Sequence, residues 1–286
     1  MATPTPTHLA YQHDAKLLTL QTTIQSLRPF PETEEANRAL FKTATDDDFV
    51  LVTKDTIFHP QGGGQPSDEG NIFPAGADET TTESAVLQVL AARMDAVNDG
   101  QVLHLVRCTP TTNLAALSPG TPVLQVVDAA KRLLYSRLHT AGHVLGSAVR
   151  HLLQHTVPGF DELKASHFPD SASCEFRGSI DGSYKGAIQA QVDDYIARAM
   201  PVEIEFWAEA DFAREGVLHL LPDRALLSPG QDKFRVVRIV GAEVYPCGGT
   251  HVERTDLCGE TVVKKISRSK GQSRVSYAVV ESQDKC

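Results

Sequence analysis

Cysteine is scarce in this chain, with five residues in 286. So odd and sparse a set cannot supply the framework of a small disulfide-stapled secreted domain. No apolar run approaches the roughly 18–20 residues that a membrane span requires. The opening segment, MATPTPTHLAYQH, has neither a basic n-region nor an apolar h-region, so no secretory signal is visible. The expected setting is the reducing cytoplasm, where Cys paired with His points to a metal before a disulfide. Positive charge is also short: 27 Lys and Arg stand against 36 Asp and Glu, a net charge of −9. That balance argues against a chain that coats nucleic acid indiscriminately. It leaves room for a local basic face, because charges beyond about 10 Å are screened. At 41% apolar and 22% charged residues, a mainly disordered or collagen-like chain is excluded. No internal repeat is present, and the length favours two domains over one.

The first part of the chain reads as β-rich. Asp48–Lys54 and Val102–Arg107 are short apolar runs with β-branched residues. Ala85–Val97 fits either a strand or a helix, Pro74–Ser84 is a polar loop, and the stretch Leu17–Ala44 carries no clear signal. The turn-rich Leu117–Pro122 is the candidate boundary, which gives domains over 1–122 and 123–286. After it comes a strand at Val123–Val127. A long helix then opens on Asp128 as N-cap, with Leu134, Leu138, Ala141, Leu145, Ala148 and Leu152 as one apolar stripe. A second helix is expected over Tyr184–Ala199. Strands are expected at Val202–Trp207, Phe234–Val240, Thr261–Ile266 and Arg274–Val280. Interleaved helices and strands make this part a layered α+β domain.

His139 and His143 stand i, i+4 on the long helix, about 6 Å apart at Cβ and within reach of one ion. At about 100° per residue they lie opposite the apolar stripe, on a small polar face with Ser136, Gly142, Gly146 and Ser147. Two solvated histidines on a surface helix are the plain alternative. A second signature weighs against it. Cys247-Gly248-Gly249-Thr250-His251 puts a thiol and an imidazole at either end of a glycine turn, and Cys and His are preferred zinc ligands. His139, His143, Cys247 and His251 together make a complete tetrahedral set for Zn2+.

HxxxH followed about a hundred residues later by CGGTH resembles the editing domain of alanyl-tRNA synthetase. It is still more similar to the freestanding AlaX trans-editing proteins; threonyl-tRNA synthetase carries a similar domain. The resemblance reaches the first domain, where Asp55 to Pro66 (DTIFHPQGGGQP), continuing to Asp68 and Gly70, is similar to the family's glycine-rich motif. It extends from about Asp46 to Val280. His59 stands where the family usually has an aromatic, Gln61 where it has an acid, and Glu243 where an Asp commonly precedes CGGTH. The resemblance implies an α+β protein, with an N-terminal β-barrel-like domain followed by a two-layer α/β zinc-binding editing domain. It implies a zinc-dependent hydrolase that deacylates mischarged tRNA(Ala) in trans: seryl-tRNA(Ala), and glycyl-tRNA(Ala) second. The partner is then the acceptor end of a mischarged tRNA, with no membrane, and a monomer is expected.

Within that reading Gly62, Gly63, Gly64 and Gln65 form either a tight turn or a backbone-lined loop reaching the substrate. Thr140 and Ser147, beside the histidines, are the candidates for recognising a substrate hydroxyl. Lys264, Lys265, Arg268, Lys270 and Arg274, with no acid among them between Thr261 and Val280, are the candidate phosphate contacts. Lys131, Arg132, Arg137 and Arg150 add charge along the helix, and Tyr277 is placed to stack on a base. His104, His151, His155, His167 and His219 have no partner in sequence and receive no role. No general base is identified. A metalloprotease is a further class, but HExxH is absent: Thr140, Ala141 and Gly142 separate the histidines, with no glutamate to serve as base. The alternatives that stay open are a non-catalytic zinc module that binds tRNA and an editing factor for tRNA(Thr).

Overall fold

The computed structural model describes residues 5–74, 86–110, 112–227 and 230–280. The chain divides into two compact units. The first comprises Met1–Gly62, Ser67–Arg132 and Asp223–Asp232; the second comprises Gly63–Pro66, Leu133–Pro222 and Lys233–Cys286.

The first unit holds β1 (His8–Leu9), β2 (Thr19–Pro29), a short α1 (Glu35–Arg38), β3 (Phe49–Thr53), β4 (Asp55–Thr56), β5 (Gly70–Pro74), β6 (Leu87–Met94), β7 (Val102–Cys108) and β8 (Pro122–Val127). Six of these close a barrel in the order β2-β3-β7-β6-β5-β8. The alternation of a strand places Leu51, Val102 and Val106 in one apolar cluster and Val50, Val52, Leu103 and Leu105 in another. Both faces are therefore buried, which is why β3 and β7 read as unbroken apolar runs. β6 settles the ambiguous Ala85–Val97 stretch as a strand over Leu87–Met94. The Pro74–Ser84 loop lies, beyond Pro74, outside the described residues.

Two features differ from the sequence expectation. The unassigned Leu17–Ala44 stretch contains β2, an 11-residue strand that pairs with β8 through Thr19–Thr23 and with β3 through Ile24–Pro29. Its sequence, TLQTTIQSLRP, is too polar to announce a strand. The expected boundary at residue 122 also falls inside this unit. β8 pairs with both β2 and β5, so removing it would open the barrel and leave two unpaired edges.

The second unit receives most of α2 (Ala129–Leu153), then β9 (Asp161–Ser166), β10 (Ser173–Arg177), α3 (Lys185–Ala197), β11 (Val202–Trp207), a short α4 (Glu209–Arg214), β12 (Phe234–Ile239), β13 (Glu243–Pro246), β14 (Thr261–Ser269) and β15 (Gln272–Val279). The sheets run β14-β15-β10-β9 and β11-β12-β13. Ala141, Leu145 and Ala148 of α2 share one core with Phe176, Ile188, Val237 and Val263. Asp128 caps α2 by accepting from the Lys131 N–H at 3.0 Å. The face opposite the apolar stripe is not solvated: Ser136, His139 and Ser147 are buried too. That removes the plain alternative of two surface histidines. The whole is a mixed α+β structure with a closed barrel.

Candidate metal centre

Helix α2 presents His139 and His143 one turn apart. The loop after β13 presents Cys247 and His251. One ligand atom from each of the four lies within 4.8 Å of the others. The Cys247 Sγ is 3.5 Å from His139 Nε2 and 3.3 Å from His251 Nε2. The loop crosses close over the helix. A Cβ on Gly249 would stand 2.3 Å from the His139 ring and 2.6 Å from Gln65 Oε1, so only glycine fits there.

Buried partners fix the protonation of two imidazoles. Gln65 Oε1 accepts from the Thr250 N–H at 3.0 Å and lies 2.7 Å from His139 Nδ1, while its amide donates to Thr250 Oγ1 at 2.8 Å. An amide oxygen only accepts, so His139 carries its proton on Nδ1 and turns the Nε2 lone pair to the sulfur. Thr140 does the same for His251. Its hydroxyl donates to Ser136 O at 2.9 Å and accepts from the Val252 N–H, so the His251 Nδ1 at 3.1 Å must be the donor. Burial, with Arg235 second, pushes His143 down to about 4, which keeps it neutral. Burial pushes the Cys247 thiol up, against the pull of Arg235 and the Gly249 N–H. Two imidazoles with lone pairs turned to one half-buried thiol, with a third neutral imidazole beside them, are the donor chemistry a tetrahedral divalent ion takes, so the four residues can hold a metal.

A cavity of about 350 Å³ in the second unit opens onto three of the four donors, His139, His143 and Cys247. Its wall also includes Gly63, Glu162, His167 and Tyr245. Glu162 Oε1 accepts from Tyr245 Oη at 3.0 Å and from Arg150 Nε at 3.1 Å. Burial, then Glu162 and Glu243, raises Tyr245 well above its ordinary value, so it stays a donor. Glu243 Oε2 sits 3.3 Å from Arg150 Nε without an aligned hydrogen bond. Burial lifts this carboxyl to about 7, with Arg150 opposing.

The other expected site residues divide. Gly63 lines the cavity. Gly64, at φ +82°, packs so tightly that a Cβ would lie 2.4 Å from Ala165 O; Gly62 is exposed. Gln65 and Thr140 are fully buried behind the histidines, and Ser147 donates to His143 O. None of these three is on the cavity wall. Lys264, Lys265, Arg268, Lys270 and Arg274 are exposed along β14, its turn and β15. Arg268 pairs with Asp181 at 3.1 Å and Arg274 donates to Ser173 Oγ at 2.9 Å.

Helix charge and Tyr277 are spent differently from expectation. Arg132 is 3% exposed and held by Asp68, Arg137 donates to Cys258 O, and Arg150 is bound by Glu162. Tyr277 is 2% exposed and donates to Leu138 O at 2.8 Å, so it cannot stack on a base. Sequence reading missed Glu162, His167 and Tyr245. No spacing marks them, because β9 with the turn after it, and β13 in the case of Tyr245, bring them to the helix only in the fold.

The family described as "Threonyl and Alanyl tRNA synthetase second additional domain" matches residues 234–276. Over 245 residues the chain is 26% identical to the alanyl-tRNA editing protein AlaX-M of Methanosarcina barkeri, covering 85% of this chain and 93% of that protein. The chain is AlaX-like. It is 28% identical over 249 residues to AlaX-L of Pyrococcus horikoshii, covering 86% of this chain and 55% of that one. It is also 27% identical over 263 residues to an alanine--tRNA ligase of Methanothrix thermoacetophila, covering 88% of this chain. This AlaX-like chain spans about a quarter of that ligase's length. Among its described residues, no helix is long and apolar enough to cross a membrane.

Proposed function

We propose that this chain hydrolyses the ester of mischarged tRNA(Ala) in trans, acting on seryl-tRNA(Ala) foremost and on glycyl-tRNA(Ala) second. The observation that carries the reading is the donor set His139, His143, Cys247 and His251, the first three of which line a cavity. Likeness to AlaX-M over nearly that protein's whole length supports the reaction class. Zinc is the proposed ion, and when bound it supplies Lewis acidity, polarising an ester carbonyl or lowering the pKa of water toward about 7.

The chain's own residues bind and orient. Glu162, held by Arg150 and Tyr245, is placed to accept from the α-ammonium of the aminoacyl group. Gly63 and Gly248 can offer the cavity only backbone groups, and their N–H groups are the proposed oxyanion donors. The exposed Lys264, Lys265 and Lys270, with Arg268 and Arg274, contact acceptor-end phosphates in this reading.

Deacylation of seryl-tRNA(Ala) and seryl-tRNA(Thr), each with and without chelator, tests the proposal. Metal-dependent release of serine from tRNA(Ala) alone is expected. Release from tRNA(Thr) alone assigns the chain to threonine editing. Tight tRNA binding without release from either makes it a non-catalytic module.

A further inference from the structure

The cavity wall holds one imidazole outside the proposed ligand set. His167 is 2% exposed, and its ring stacks on that of His139 at 4.3 Å between centroids. Its backbone N–H donates to Gly64 O at 2.8 Å. Its ring stands where Gly142 has no side chain: a Cβ there would lie 2.4 Å from the imidazole. A ring that only filled space would be served by any apolar side chain. This ring is oriented by a polar relay. Tyr277 Oη donates to Leu138 O at 2.8 Å, which uses its one proton. His167 Nδ1, 2.7 Å from that oxygen, must then be the donor. The proton therefore sits on Nδ1, and Nε2 is the one acceptor that the ring can offer to the cavity it lines.

Resting on the editing reading above, we propose that His167 determines specificity, its Nε2 accepting the hydrogen bond of a seryl hydroxyl. Serine cannot be told from alanine by excluding the larger side chain, because it is serine that must enter. A placed polar partner is required, and such a site can discriminate strongly against the analogue without the hydroxyl. Of the other polar side chains of the wall, His139, His143 and Cys247 face the metal position, and Tyr245 spends its proton on Glu162, the carboxylate that the reading above gives to the α-ammonium. Lys164 pairs with Glu175 at 3.6 Å, and Cys174 donates to Gly142 O at 3.4 Å. Thr140 and Ser147, the candidates by sequence, point their hydroxyls into backbone carbonyls of α2.

The test compares kcat/KM on seryl- and glycyl-tRNA(Ala) for the unaltered chain, His167→Phe and His167→Gln, with zinc content measured for each. Phe keeps the stacked ring and removes both nitrogens. The serine-to-glycine ratio is expected to fall about 10- to 100-fold in His167→Phe, the size of one missing buried hydrogen bond, with zinc retained. Gln, which restores a polar reach, is expected to recover part of the ratio. An unchanged ratio overturns the inference, as does loss of zinc in both variants, which would make His167 part of the metal site. In the unaltered protein, the His167 Nε2 resonance in nitrogen NMR should lie in the unprotonated range. It should move toward the protonated range with 3′-serylamino-3′-deoxyadenosine and not with the glycyl analogue. A protonated Nε2, or no difference between the analogues, overturns the inference even if both variants fail to fold. Hydrolysis of neither ester by the unaltered chain overturns the editing reading itself.

Discussion

Gln65 shows how one buried side chain acts on a centre it does not enter. Its amide joins His139 to Thr250, tying the glycine-rich loop, the helix and the CGGTH loop at one point. Removing it leaves the His139 Nδ1–H without its acceptor and frees the ring to turn. Gln65→Ala should therefore weaken zinc about 10- to 100-fold, as outer partners of metal-bound histidines usually do. Competition with a chromophoric chelator measures this without reference to activity. His139→Ala or Cys247→Ala should remove most of the metal, and stoichiometric zinc in the double variant would sink the assignment. The four donors were legible because each pair is local: one helical turn apart, or across a three-residue loop. His167 was not, since it lies 24 positions beyond His143 and meets the helix only after the chain has turned through β9. The sequence placed Gln65 and Thr140 near the site but not behind the ligands, because spacing marks proximity and not which way a side chain faces.

At the scale of the element, α2 tests whether glycine in a helix is a defect or a fitting. Gly142 and Gly146 are one turn apart and both face the cavity. At Gly142 a Cβ would meet the His167 ring at 2.4 Å and Tyr277 Oη at 2.7 Å; at Gly146 the nearest atom is Tyr245 Oη at 3.5 Å. Alanine gains about 1 kcal/mol of helix propensity at either site. Gly146→Ala should keep most of that gain and raise the urea midpoint. Gly142→Ala should lose it to overpacking, with a net cost of about 1–3 kcal/mol. Equal effects would show that the His167 relay is not rigid. The helix itself was legible from its cap and its apolar stripe. β9 was not: DELKAS is largely exposed and polar, and its pairing to β10 supplies the order that its side chains do not. β2 escaped because Leu20, Ile24 and Leu27 reach the core separated by polar residues, and neighbours on both sides supply the rest of its order.

Stability and RNA affinity belong to the whole molecule, and each carries a signed expectation. Glu243 has a folded-state pKa of about 7 against an ordinary 4.5, chiefly from burial. Below about pH 4.5 both states are protonated. As pH rises toward 7 the unfolded chain gives up this proton first, so stability falls across that window and levels off above it. Glu243→Gln should abolish this part of the loss, gaining on the unaltered chain between pH 4.5 and 7 in urea unfolding. A parallel pair of curves would contradict it. RNA affinity poses the opposite problem, since a chain of net charge −9 must hold a polyanion through a local patch. Lys264 and Lys265 follow one another where β14 shifts register, and both are exposed. Lys270 sits at the turn in a left-handed conformation, φ 50°, where few side chains stand unless the hairpin needs them. Arg268 is shared with Asp181, so its charge is already partly answered. Replacing Lys264, Lys265 and Lys270 by Ala should therefore weaken tRNA binding more than Arg268→Ala, and lower the salt slope by roughly one for each phosphate no longer neutralised. Zinc content should not change, because none of these residues belongs to the donor set. If the triple variant keeps both the affinity and the slope, the strand is merely solvated, and the tRNA must be gripped by another surface.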